Sequence, residues 1–95
     1  MNRRLLIFED DREAHIARHG VSLEEVQDVF DGLALVYRAK GPKATDVYYR
    51  LMGQTDAGRY LSVVIAEVDR GVYALVTGRN ATDAERRLIR HRRRS

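Results

Sequence analysis

Tyr60-Leu-Ser-Val-Val-Ile-Ala-Glu-Val68, then Asp69-Arg70-Gly71, then Val72-Tyr-Ala-Leu-Val-Thr77 is the stretch that decides the fold. Two runs rich in β-branched and aromatic residues, joined by a short link containing glycine, read as an antiparallel hairpin. In the first run both alternating sets are largely apolar: Leu61, Val63 and Ile65 on one side, Tyr60, Val64, Ala66 and Val68 on the other. Such a strand must be covered on both faces, so Tyr60 to Val68 is expected at the centre of a sheet.

Working outward, Thr55-Asp56-Ala57-Gly58 links this strand to another at Val47 to Met52, and Lys40-Gly41-Pro42-Lys43 ends an earlier one at Leu33 to Tyr37. Leu5 to Phe8 read as a short first strand. Asp10 with Glu13 supplies a capping-box pattern, predicting a short helix through Ala14, Ile16 and Ala17 to Gly20. Ser22 with Glu25 makes a second box, with Val21 placed to staple onto Val26, and Leu23, Val26, Val29 and Phe30 form a helical stripe that Gly32 stops. Thr82 with Glu85 makes a third box, opening a last helix with Ala81, Ala84 and Leu88 as its thin apolar side. The order β-α-α-β-β-β-β-α predicts an α+β fold: a mostly antiparallel sheet of four to five strands, packed with two N-terminal helices and one C-terminal helix. Ninety-five residues suit one domain, 1–95, with a basic tail at 90–95 whose end is expected to fray.

A composition of 44% hydrophobic and 33% charged residues fits a globular chain rather than a disordered one. The longest apolar run is far too short to span a bilayer, and acidic Glu9 and Asp10 cut short any signal-like start, so no membrane association is expected. With no cysteine there are no disulfides, thiolate metal sites or cysteine nucleophiles, and the cytoplasm is the expected compartment. The net charge of +3 is unevenly spread. Residues 1–78 carry ten basic and twelve acidic groups, whereas residues 79–95 carry seven arginines against Asp83 and Glu85. Fifteen of the seventeen basic residues are arginine, whose planar fork grips phosphate with two hydrogen bonds. That bias favours a polyanionic partner such as RNA, although arginine-rich codon usage with a solvated tail would produce the same composition.

No phosphate-binding glycine loop, nucleophile elbow or dinucleotide fingerprint is present. His15 and His19 lie four apart on the first helix, but two imidazoles are not a metal site, and no metal or other cofactor is expected. His19, in the last helical turn, is suited either to capping a free carbonyl or to proton transfer and RNA contact. Arg50 shares a strand face with Tyr48 and Met52, and Arg79 is expected to continue the face of Tyr73, Leu75 and Thr77. An arginine on a sheet face needs a partner. The alternatives are an internal carboxylate such as Glu67 or an incoming phosphate.

Ala17-Arg-His-Gly-Val-Ser-Leu-Glu-Glu-Val-Gln-Asp-Val-Phe30 resembles the lysine-histidine-glycine-valine motif and following helix of the BrnT-family toxins, within the RelE-like group of small ribonuclease toxins. The resemblance continues through Tyr49-Arg50-Leu-Met-Gly53, Gly58-Arg59-Tyr-Leu-Ser-Val-Val64 and Thr77-Gly-Arg79-Asn-Ala81-Thr82-Asp-Ala-Glu85-Arg86. It implies a RelE-like fold and a metal-independent ribonuclease of a type II toxin-antitoxin pair, silenced by a cognate antitoxin that is usually DNA-binding, for example of ribbon-helix-helix type. By position it makes His19, Arg50, Arg79, Glu85 and Arg86 the expected catalytic residues, with Arg18 standing for the motif lysine. The chain departs from the pattern around Ile7 and Phe8, at His15, and at Ile89, where the family has a tyrosine. Tyr48 and Tyr73 are expected to offer faces for base stacking, and Arg18, Arg87 and Arg90 to hold the RNA backbone. A non-catalytic module that binds RNA or a protein through the same basic surface is the other reading.

Overall fold

The computed structural model describes residues 1–94, with side chains through Arg92. In order along the chain are β1 (Leu5–Ile7), α1 (Arg12–Ala17), α2 (Leu23–Asp31), β2 (Ala34–Ala39), β3 (Tyr48–Gln54), β4 (Tyr60–Asp69), β5 (Val72–Asn80) and α3 (Asp83–Arg94). The five strands form one sheet in the order β1-β5-β4-β3-β2, with β1 parallel to β5 and the other neighbours antiparallel. This is the expected α+β arrangement. Strand β4 lies at its centre, as its two apolar faces require. Leu61, Val63 and Ile65 face a core built with Ile16 of α1 and Val26, Val29 and Phe30 of α2. On the other face Ser62 and Val64 are buried, and α3 lies over β3 and β2. No helix of the described residues is long and apolar enough to cross a membrane.

Two of the three capping boxes form. Ser22 is extended, its hydroxyl accepts from Glu25 N–H, and the Glu25 carboxylate accepts from Ser22 N–H. Thr82 and Glu85 repeat this exchange at 3.2 and 2.9 Å. Helix α1 differs from expectation: its N-cap is Asp11, which makes no side-chain cap bond. The reason is local. Asp11 has αR rather than extended backbone angles, and Arg12 takes its carboxylate at 3.0 and 3.2 Å. The links of the two hairpins turn on Gly58 and Gly71, both at positive φ, where a side chain would be strained.

Three further differences concern side-chain direction. Leu33 lies before β2 and is 92% exposed, since the chain is still turning out of the helix end at Gly32. On α3 the buried apolar residue is Ile89, while Leu88 is half exposed. The cause is Glu85, which is drawn toward the sheet by Arg79 and brings the residue four positions on with it. In β5, Leu75 pairs with Ile65 but Thr77 pairs with Val64, so one extra residue, Val76, bulges between them. The bulge reverses the alternation. Tyr73 and Leu75 therefore face the α1/α2 core, whereas Arg79 lies in register with Ser62 on the α3 side.

Candidate functional site

The bulge and the α3 capping box together build the site. By turning Arg79 to the α3 side, the bulge sets its guanidinium against the first turn of that helix. There it binds Glu85 through both nitrogens, at 2.8 and 3.2 Å, and donates to the Asn80 carbonyl at 3.0 Å. Glu85 thus has two tasks, capping α3 and holding Arg79. The hydrogen bond from Arg79 lowers its pKa, helped by the Thr82 N–H and the charges of Arg79 and Arg50, and outweighs the upward pull of burial. Glu85 is consequently ionised at neutral pH and a poor proton acceptor. The same hydrogen bond raises Arg79 above an arginine's ordinary value against its own burial.

Arg50 comes to this face from β3. Its Nη1 donates to the Ser62 hydroxyl at 2.6 Å, and Ser62 is itself only 1% exposed. The expected internal carboxylate is not this partner: Glu67 sits on the opposite face beside Tyr73, whose hydroxyl is pushed up by burial and then by that carboxylate. A hydroxyl satisfies the geometry of Arg50 without cancelling its charge. Arg86, the residue after Glu85, lies over the Tyr60 ring with its guanidinium carbon 5.2 Å from the centroid. Arg79 thus binds the Glu85 carboxylate and Arg50 adds its charge to it, while Arg86 turns to Tyr60. Arg86 also lines a shallow groove, together with Gly58, Arg59, Tyr60, Asn80 and Ala81.

Of the residues expected from sequence, Arg50, Arg79 and Glu85 come together, Arg86 turns its guanidinium to Tyr60, and Arg87 and Arg90 are exposed further along α3. Arg18 and His19 are exposed in the turn after α1. His19 reaches the site's rim only indirectly, its ring meeting His15 edge to face at 6.2 Å while His15 Nε2 lies 3.1 Å from the Thr77 hydroxyl. The two tyrosines expected to stack do not join them. Tyr73 is buried in the core on the far face, and Tyr48 is packed beneath Gly41 with its hydroxyl accepting from Lys43 N–H. The ring in the groove is Tyr60, which sequence alone places only in a strand. Arg59, Ser62 and Asn80 escape sequence reasoning as well. Tyr60 and Arg59 stand inside the Gly58-to-Val64 motif, but Ser62 is revealed only by the strand register. Among the described residues no three His, Cys, Asp or Glu side chains gather as metal ligands would.

Among solved structures the chain is similar to the crystal structure of the Brucella abortus ribonuclease toxin BrnT, at 18% identity and a TM-score of 0.59, over 83% of this chain and 97% of that one. The likeness shows a BrnT-like fold, as the sequence resemblance implied. No protein-family model matches the chain, and no curated protein matches it.

Proposed function

We propose that this protein is a metal-independent endoribonuclease, the toxin of a type II toxin-antitoxin pair acting in the cytoplasm. The observation that carries the reading is the Arg79–Glu85 pair with the charge of Arg50 acting on it and Arg86 at Tyr60, on a fold similar to that of the Brucella abortus ribonuclease toxin BrnT. RNA is cleaved without metal when its 2′-oxygen attacks the adjacent phosphorus. The 2′-hydroxyl proton leaves to a base, the bond from phosphorus to the 5′-oxygen breaks, and that oxygen takes up a proton. The charge that builds on the phosphoryl oxygens is the costly part, and pre-placed cations lower it. Arg79 is the best placed of these, since Glu85 fixes its orientation before substrate arrives. Arg50 and Arg86 add charge, and Tyr60 offers an edge or face to a base. Glu85 orients rather than carries protons in this scheme, and His19, exposed in the turn after α1, handles the proton. Arg18, Arg87 and Arg90 hold the flanking backbone.

A cognate antitoxin, RNA's competitor for the same surface, is the proposed protein partner, with an acidic or amphipathic segment over α3. The alternative, a non-catalytic module that holds RNA or a protein, is favoured by one observation: Glu85 already partners Arg79, and Ile89 rather than a tyrosine lies one turn on. Incubating purified protein with messenger RNA in EDTA separates the two. Cleavage products in chelator support the nuclease, and binding without cleavage supports the module. Activity restored only by a divalent ion overturns the metal-free scheme.

A further inference from the structure

The outer edge of β1 carries a pattern that the proposed function does not use. Arg3-Arg4-Leu5-Leu6-Ile7-Phe8-Glu9-Asp10 runs from two cations through four apolar residues to two anions. Laid antiparallel on a second copy, it brings the cationic end near the acidic end. Strand β1 lies at the end of the sheet, and Leu5, Ile7 and Phe8 are 52%, 38% and 36% exposed, with no proline or charge inside the apolar run. Edge strands of soluble proteins are ordinarily protected by such residues.

We propose that β1 pairs with β1 of a second copy of this chain, antiparallel about a twofold axis through Leu6, giving a continuous ten-stranded sheet. The register follows from the backbone. Leu5 N–H donates to the Gly71 carbonyl, and β1 is parallel to β5, so Leu5 and Ile7 spend their backbone groups inward while Leu6 turns its own outward. Antiparallel partners must both face the ladder, which sets Leu6 opposite Leu6 of the partner subunit. Leu5 then faces Ile7 of the partner subunit; the ladder stops before Arg4, whose N–H is spent on the Gly71 carbonyl, and its exposed side chain lies toward the partner's Glu9 and Asp10. Registers one residue away put inward-turned groups in the ladder. A shift of two sets Leu5 against the partner's Glu9. An isologous contact of this kind closes at two copies and does not propagate. The axis stands perpendicular to the sheet, so both α3 faces, with their arginines, point the same way.

Sedimentation equilibrium over a concentration series tests this with the intact chain. Wild type is expected to reach the mass of two chains. Leu5→Lys or Ile7→Glu alone should weaken association about tenfold, because two cross-strand apolar pairs are broken. The double variant should recover it, because the introduced charges are opposite across the axis. Both positions lie on the exposed side of β1, and a thermal melt checks that each variant folds. The chain has no cysteine, so a second test introduces no charge: a mixture of Leu5→Cys and Ile7→Cys chains should form the mixed disulfide in preference to either self-pairing. A monomeric wild type at every concentration overturns the proposal, whatever else that edge pairs with. So does a dimer that the single substitutions leave unmoved, or indiscriminate crosslinking.

Discussion

The starts of α2 and α3 use the same device to different ends. Each is capped by a serine or threonine with a glutamate three residues on, and each glutamate also binds an arginine, Arg59 for Glu25 and Arg79 for Glu85. The described side-chain hydrogen bonds of Arg59, made through Nε and Nη1, all go to the fold. It reaches the Gly20 carbonyl at 2.7 Å, both Glu25 oxygens at 2.9 and 3.0 Å, and the Asn80 side chain at 2.9 Å, tying α2, the turn after α1 and β5 together. Around Arg79 the partners are short-range, a helix it already touches and the carbonyl of its neighbour, and the charge of Arg50 acts on the same carboxylate. One arginine closes a structure; the other is proposed to stand ready for phosphate beside the charge of Arg50. The lesson is that an ion pair's role is read from what surrounds it, not from its length.

The sharpest way to break this contrast is Arg79→Ala. Losing one pre-placed donor to a developing anion costs ~3 kcal/mol, so RNA cleavage should fall by about two to three decades. Stability should drop by only ~1–2 kcal/mol, since Glu85 keeps the Thr82 N–H and is near enough to the surface for water to help. Gel-resolved cleavage rates and a thermal melt on the same sample separate the two quantities.

Arg59→Ala should show the reverse. Three elements lose a shared donor, and a loss of ~1–2 kcal/mol, discounted because the pair is about a third exposed, lowers Tm by roughly 5–15 °C for a domain of this size. Cleavage by the fraction still folded should be unchanged.

The two carboxylates sharpen the comparison through acid. Burial pulls Glu25 upward, but its bonds from Arg59 and Ser22 together with the charge of Arg59 leave it below its ordinary 4.5, and Glu85 is likewise depressed. A depressed folded pKa gives stability that is fully present above the ordinary carboxylate range and is lost as pH falls through the folded value. Glu25→Gln and Glu85→Gln keep a capping acceptor but lose the charge. Each should flatten the fall in urea-measured stability below pH 4.5 by less than about 1 kcal/mol.

The smallest effect belongs to the end of α3. Truncation after Ile89 removes exposed arginines without touching Glu85, so the fold should stay cooperative. The slope of log affinity against log salt for single-stranded RNA should become shallower by ~0.7 for each phosphate that the shortened helix leaves unneutralised.

Much of this is legible in the residues, and for definable reasons. The central place of β4 follows from its doubly apolar pattern, and the two working capping boxes from hydroxyl-to-glutamate spacing. The third, Asp10 with Glu13, fails because the helix starts one residue later, at an Asp11 N-cap whose carboxylate Arg12 holds, a choice that spacing does not encode. Arg50, Arg79, Glu85 and Arg86 stand out from short motifs. Their mutual geometry is hidden by one bulged residue, Val76, which no alternation rule announces and which turns Arg79 away from Tyr73. Tyr48 and Tyr73 read as available rings because burial of an aromatic depends on what crosses it. For Tyr48 that is the Gly41 turn, and for Tyr73 the α2 side of the core.

The central claim, that Arg79 serves phosphate while Arg59 serves the fold, is tested most directly by one assay. Wild type, Arg79→Ala and Arg59→Ala are compared for messenger RNA cleavage in EDTA, each normalised to its folded fraction. The account predicts cleavage by wild type, near-equal cleavage by Arg59→Ala, and a loss of at least about a hundredfold in Arg79→Ala. Equal losses in the two variants, or undiminished cleavage by Arg79→Ala, would contradict it.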